Sequence, residues 1–131
     1  MNQGYQHFNS NIFLINYHFV FCTKRKKKFL TGKILKRTQE LFIETIKLIN
    51  CKIISLDFFP DHVHLYLSCT PYMAPNQIIH KIKNYSSKYL RKEFPELLKI
   101  PGTWTINYLV STTRNISPKT IKKYVKSQNK K

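Results

Sequence analysis

Acidic residues are scarce in this 131-residue chain: Asp and Glu together number 6, against 23 Lys and Arg. They are Glu40, Glu44, Asp57, Asp61, Glu93 and Glu96, and the glutamates all fall on segments with helical patterning. A two-metal nuclease built from several converging carboxylates is thereby excluded. Glycine is rarer still, with 3 in the chain, so no glycine-rich loop can cradle a nucleotide's phosphates. The cysteines, Cys22, Cys51 and Cys69, are odd in number and lack paired spacing. That argues against a disulfide framework and against a zinc knuckle. Each lies in or beside an apolar strand pattern, where a buried free thiol fits. The longest apolar run, Ile12 to Cys22, is interrupted by Asn16 and His18 and is too short to span a bilayer. With no basic-then-apolar leader at the N-terminus, a cytoplasmic protein with no membrane partner is expected.

What the chain has in excess is positive charge, a formal net +17. A chain this cationic repels itself unless it meets a polyanion. Nucleic acid is the leading partner and an anionic membrane surface a distant second. The length fits one domain over residues 1–131, with 1–10 and 129–131 loose. An apolar content of 42% is enough to bury a core.

Periodicity sets out the elements. Ile12 to Cys22 reads as a β-strand, rich in Ile, Phe, Tyr and Val. The basic run Lys24-Arg25-Lys26-Lys27-Lys28 follows; a solvated loop and a phosphate contact suit it equally. Thr31 is placed to cap a helix whose stripe is Ile34, Leu35, Thr38, Leu41, Phe42, Thr45, Ile46 and Ile49. Cys51 to Phe59 forms a second strand, and Pro60-Asp61 turns it into a third beginning at His62. After the breakers Pro71 to Pro75, a second helix runs from about Asn76 to Glu93. Its apolar stripe is Ile78, Ile79, Ile82, Tyr85, Tyr89 and Leu90, and its other face carries Lys81, Lys83, Lys88, Arg91 and Lys92. Thr103 to Ser111 alternates as a fourth strand, and Ser117-Pro118 starts a last helix to about Gln128. The order β-α-β-β-α-β-α predicts an α+β, ferredoxin-like or RRM-like fold: a four-stranded antiparallel sheet, two helices on one face, and a C-terminal helix.

Two constellations could carry chemistry. In Asp61-His62-Val63-His64-Leu65-Tyr66-Leu67-Ser68, strand alternation sends Val63, Leu65 and Leu67 to one face and His62, His64, Tyr66 and Ser68 to the other. Two imidazoles on one strand face can share a divalent cation, although two polar residues on a half-exposed strand need no such role. In the last helix, Tyr124 and Gln128 are stacked four residues apart, with Ile121 and Val125 beside them. By spacing alone Tyr124 is a packed aromatic. A helix lying over the histidines would instead offer a nucleophile.

These residues carry a resemblance. Asp61-His62-Val63-His64 after Pro60 resembles the DHVH form of the HUH motif. Trp104, Tyr108, Val110-Ser111-Thr112, Ser117 and Tyr124-Val125-Lys126-Ser127-Gln128 are similar to the C-terminal pattern of the same family. Tyr17 to Lys24 resembles its opening strand, and Lys83 with Ser86-Ser87 its second helix. The family is that of the TnpA-like, single-tyrosine HUH transposases of the smallest insertion sequences, the IS200-like group. The match runs from residue 10 to 128, in the family's order.

The resemblance implies that Tyr124, carried by the C-terminal helix, attacks single-stranded DNA and forms a 5′-phosphotyrosine link. It implies that His62, His64 and Gln128 hold Mg²⁺ or Mn²⁺, that subterminal DNA hairpins bind basic surfaces, that the protein is a homodimer, and that no ATP is needed. Lys24, Arg25, Lys26, Lys27, Lys83, Lys88 and Arg91 are the expected DNA contacts. A non-catalytic nucleic-acid-binding module of the same fold, or another HUH nickase, are the alternatives. The chain departs from the pattern at Asn107 and Arg114, where relatives often carry Gly. Altered backbone geometry is expected there, above all in the hinge before Ser117.

Overall fold

The computed structural model describes residues 4–128. The elements are β1 (Gln6–Phe8), β2 (Asn11–Phe13), β3 (Asn16–Cys22), α1 (Gly32–Leu48), β4 (Lys52–Phe59), β5 (His62–Ser68), α2 (Pro75–Glu93), β6 (Leu109–Ser111) and α3 (Pro118–Ser127). The main sheet has the order β4-β5-β3-β6, with every pairing antiparallel. With β3 as its first strand and β6 as its fourth, this is the expected ferredoxin-like plan.

Alternation decides what each face of the sheet meets. Phe19, Phe21, Val63, Leu65 and Leu67 are fully buried under Leu41, Phe42 and Ile46 of α1 and Ile78, Ile79, Ile82 and Leu90 of α2. At roughly 1.5–3 kcal/mol for each fully buried large side chain, this layer supplies most of the hydrophobic stabilisation. On the reverse face Val20 and Cys22 meet Val125 of α3 in a much smaller cluster. Val20 pairs with His64 and Cys22 with His62 across β3 and β5, so both histidines share the face that α3 covers. Ser117 caps α3 by accepting a hydrogen bond from the Thr120 amide at 3.3 Å, with Pro118 in the first turn. Thr31 stands at the start of α1, but its hydroxyl makes no cap bond.

Several elements differ from the sequence reading. The N-terminal segment is not loose over residues 4–10: β1 and β2 pair as a hairpin around Asn9 and Ser10, with φ of 49° and 65°. Two positive φ values in a two-residue loop match the twist of a hairpin turn, and Asn-Ser signals it more weakly than Asn-Gly. Residues 1–3 and 129–131 lie outside the described residues. The strand read from Ile12 to Cys22 is interrupted after Phe13, and the Ile15 carbonyl accepts from the Cys69 amide at 2.7 Å. The strand read from Thr103 to Ser111 is reduced to a bridge between Trp104 and Thr23 and the short β6.

The reason for that break is Lys83, which is not on the exposed basic face of α2. It is only 8% exposed. Its Nζ donates to the carbonyls of Thr105 at 2.8 Å, Asn107 at 3.0 Å and Ile106 at 3.4 Å. Turning these carbonyls inward takes them out of any ladder and leaves Ile106 81% exposed. Burial pushes the Lys83 ammonium down to about 8. Lys83→Met leaves three inward carbonyls unmet and is expected to cost roughly 2–3 kcal/mol, read as a fall in denaturation midpoint. The sign of its pH dependence follows. Between about 8 and the ordinary 10.5 the unfolded chain holds a proton that the folded chain has released. The lysine's share of stability therefore rises with pH across that window, and the Met variant loses the rise.

Arg37 of α1 clamps α2 through Glu93, at 2.8 and 3.1 Å, and also meets Glu40 at 3.2 Å and Glu44 at 3.9 Å. Exposed pairs of this kind contribute little stability. Their effect is on charge distribution, since three of the chain's few acids are held on the helical side, away from the histidines. No helix among the described residues is long and apolar enough to cross a membrane.

Candidate active site beneath the C-terminal helix

β5 sets the imidazole spacing. The His62 and His64 ring centres are 5.4 Å apart, and the His18 ring of β3 lies 5.7 Å from that of His64. His62 is fixed from two sides. Its Nδ1 donates to Asp61 Oδ1 at 2.7 Å, and its ring stacks on Phe59 at 4.5 Å with planes 5° apart. This leaves Nε2 as its free nitrogen, the usual arrangement for a carboxylate-oriented metal-binding histidine. Asp61 also holds Lys26 Nζ at 3.8 Å.

His64 is half-buried, and its Nε2 is buried with no hydrogen-bond partner. Burial, aided by the charges of His62 and His18 and opposed by Asp57, pushes its imidazole down to about 4. The ring is therefore neutral near pH 7, the form that ligates a cation.

The helix α3 closes over this face. Its Ile121, Lys122, Val125 and Lys126 line a cavity of about 660 Å³ together with His62, His64, Phe59 and Lys26. The Tyr124 hydroxyl is buried without a partner, and burial pushes its phenol further up, with Cys22 adding to the rise. The Thr105 hydroxyl offsets part of that rise without hydrogen-bond geometry to the phenol; its own proton faces the Cys22 and Asn107 carbonyls at 3.3 Å. Gln128, at the end of the helix, is 3% exposed. Its Nε2 donates to Ser127 Oγ at 3.1 Å, while its Oε1 is buried and unpartnered. Burial and the charge of Asp61 push the Cys22 thiol up to about 11, so it stays a thiol and does not compete as a nucleophile.

The expected cationic residues separate by position. Lys26 lines the histidine cavity, aimed there by a turn in which Arg25 and Lys26 have φ of 56° and 52°. Thr23 holds that turn, its hydroxyl shared between the Lys27 carbonyl at 2.7 Å and the Asp61 carbonyl at 3.2 Å. Arg25 and Lys27 are exposed on the same turn, whereas Lys24 is half-buried, its amide donating to the Thr103 carbonyl at 2.9 Å. On the far side of the sheet, Lys88 of α2 is exposed and Arg91 donates to the Leu97 carbonyl at 3.0 Å. Lys122 and Lys126 are not among the expected DNA contacts, although their spacing of four on the Tyr124 helix is a usable signal. Neither Asn107 nor Arg114 takes a positive φ, so the backbone avoids the strain that a missing glycine would bring.

The family model described as "Transposase IS200 like" matches residues 11–128. The chain is 27% identical over 123 residues to the ISDra2 transposase TnpA of Deinococcus radiodurans, covering 92% of this chain and 88% of that protein. It is 25% identical over 115 residues to the transposase for insertion sequence element IS200 of Salmonella typhimurium, covering 86% and 75%. In fold it is similar to the crystal structure of a transposase from Deinococcus radiodurans, with a TM-score of 0.86 at 21% identity over 94% of this chain and 97% of that one. A REP-associated tyrosine transposase bound to a REP hairpin gives a TM-score of 0.55 at 14% identity over 93% and 67%.

Proposed function

The chain belongs to the IS200-like transposases, and we propose that it cleaves and rejoins single-stranded DNA through Tyr124 during excision and integration of an insertion sequence. One observation carries the reading. Among the described residues, four buried side-chain polar atoms lack a hydrogen-bond partner: His64 Nε2, Tyr124 OH, Gln128 Oε1 and Asn16 Oδ1. Each costs roughly 1–3 kcal/mol to leave unmet. Three of them belong to the residues with proposed chemical roles, as expected of groups kept for a substrate and a cation.

The residues fit a divalent ion. His64 Nε2 and Gln128 Oε1 are buried and unpaired, and Asp61 orients His62 so that its Nε2 stays free. No group of three or more His, Cys, Asp or Glu is gathered for a metal among the described residues, so an amide oxygen is the apt third donor. Bound there, Mg²⁺ or Mn²⁺ would neutralise the non-bridging oxygens of the scissile phosphate. Tyr124 Oη attacks phosphorus, the P–O3′ bond breaks, and the phenolic proton passes, directly or through solvent, to the departing 3′-oxygen, which leaves as a hydroxyl. The 5′-phosphate stays on the tyrosine. Rejoining reverses the step: a 3′-hydroxyl attacks the phosphotyrosine and the phenol departs, so no nucleotide cofactor is consumed. Lys26, Lys122 and Lys126 place positive charge around the scissile phosphate. Arg25 and Lys27, on the same turn as Lys26, extend the phosphate-binding surface, whereas Lys88 on the far side of the sheet does not adjoin it. The family resemblance supports hairpin-bearing single strands as the partner and a homodimer as the working form.

The test is to incubate the protein with Mn²⁺ and a labelled single strand carrying the element's terminal hairpin. A tyrosine-linked 5′-adduct with a free 3′-hydroxyl fragment is the expected product. Binding without any adduct would leave only the non-catalytic alternative.

A further inference from the structure

The fourth unpartnered atom lies outside the catalytic group. Asn16 Oδ1 is buried at the start of β3, and its residue lines a cavity of about 530 Å³ with Tyr5, Gln6, Lys52, Tyr66 and Arg114. That volume falls within the range of small-molecule sites and leaves more than enough room for one nucleobase. The cavity opens on the histidine face. Tyr66 follows His64 by two residues on β5, so their side chains share a face about 7 Å apart along the strand. Asn16 pairs with Ser68 and His18 with Tyr66 across β3 and β5.

A second link ties the cavity to the candidate active site. His18 Nδ1 donates to the Arg114 carbonyl at 2.7 Å, and the His18 ring adjoins that of His64. Arg114 is exposed, and its guanidinium lies over the Tyr66 ring at 5.5 Å. The guanidinium is thus drawn toward an aromatic ring while remaining exposed, and an exposed guanidinium can stack on a base. Asn16 Nδ2 reaches the Tyr66 hydroxyl at a long 3.5 Å, while Gln6 is held by its 2.6 Å bond to Ser68 Oγ. Tyr5 and Gln6 at the start of β1, with Leu14 just after β2, supply the outer wall. Among the described residues no acidic side chain lines the cavity, and Lys52 and Arg114 would meet flanking phosphates.

We propose that this cavity is a nucleobase subsite. One unpaired base a nucleotide or two from the scissile phosphate stacks on the Arg114 guanidinium and donates an edge N–H to Asn16 Oδ1, which sits opposite Ser68, about 13 Å along the strand from His64. The subsite holds the strand in register, so that a particular phosphate reaches Tyr124. This deepens the single-stranded DNA reading above and rests on it. It gives the Asn16 carbonyl a partner and the N-terminal hairpin a function.

Equilibrium binding without metal tests it. The full chain is titrated against fluorescent single strands of about 12 nucleotides: homopolymers of deoxyadenosine, deoxycytidine and thymidine, and an abasic strand with the same number of phosphates. The unmodified protein is expected to prefer at least one base-bearing strand over the abasic strand. Asn16→Leu should weaken binding to that strand roughly 10-fold, within the range of one base contact. Its affinity for the abasic strand and the salt dependence should be unchanged. No change on any strand, or equal loss on base-bearing and abasic strands, overturns the subsite. Should Asn16→Leu fail to fold by circular dichroism, the exposed Arg114→Ala decides: it must lose more on base-bearing strands than on abasic ones, and equal loss again overturns the proposal. The adduct assay stands apart. Adducts without base preference sink the subsite alone, and base preference without adducts sinks the cleavage mechanism alone.

Discussion

Tyr124→Phe is expected to abolish the covalent protein–DNA adduct, to retain hairpin binding, and to unfold at an equal or higher temperature than the unmodified protein. The first result follows from removing the only atom proposed to bond to phosphorus; no slower route through the same residue remains. The last is less obvious and is the stronger check on the site. The hydroxyl is buried and unpartnered, so the change removes an unmet polar group and leaves the ring in place. A gain of roughly 1 kcal/mol is in keeping with the cost of an unsatisfied buried group. A nucleophile that destabilises its own fold is a common exchange of stability for activity. Gel-shift, adduct and melting measurements on one preparation decide the matter. If the Phe variant still forms adducts, another residue is the nucleophile. A clear loss of stability would mean that the hydroxyl has a structural partner in the folded chain.

His64→Ala is expected to lower cleavage at limiting Mn²⁺ by roughly 100-fold or more, the several kcal/mol that a cation on the scissile phosphate contributes. Excess Mn²⁺ should restore part of the activity. Unchanged metal dependence would remove His64 from the ligand set. The same imidazole gives a pH signature in the metal-free protein. Burial chiefly holds it down to about 4, against an ordinary 6.5. Between these values the unfolded chain binds a proton that the folded chain refuses. The folded state therefore loses stability as pH falls from 6.5 toward 4, and its dependence on this group ends below that. His64→Ala should flatten the slope, measured by denaturation midpoints across the window.

The histidine pair and the capped start of α3 were legible because each rests on local rules: alternation along a strand, and Ser-Pro at a helix N-terminus. The ferredoxin-like order was legible for the same reason, since six elements announce themselves by period and breaker. What the sequence concealed depends on distant groups. Lys83 was read onto the exposed face of α2 because it is charged. Yet it stands four residues after Ile79 and three before Ser86, on the buried stripe, and only the three carbonyls it meets make that position tolerable. The alternation of Trp104, Ile106, Tyr108 and Val110 mimics a continuous strand, but Lys83 pulls the intervening carbonyls out of the ladder. The N-terminal hairpin was missed because Asn9-Ser10 is a weak turn signal and the strands it joins have three residues each. Lys122 and Lys126 were passed over because a lysine on a helix is usually only solvated. What sets them apart is the cavity they share with the histidines.

The seam beneath α3 has a bearing on timing. The helix has 10 residues, short enough that an isolated peptide of its sequence would scarcely be helical in water. It is held mainly where Val125 meets Val20 and Cys22, whereas the other two helices share the whole opposite core. Detachment of α3 is therefore expected to cost far less than global unfolding. That excursion carries Tyr124 and Gln128 away together and leaves His62 and His64 behind on a rigid sheet. On the proposed roles, closure would restore the nucleophile and the third ligand in one motion, and the waiting time between cleavage and rejoining would be set by how long a short helix stays down.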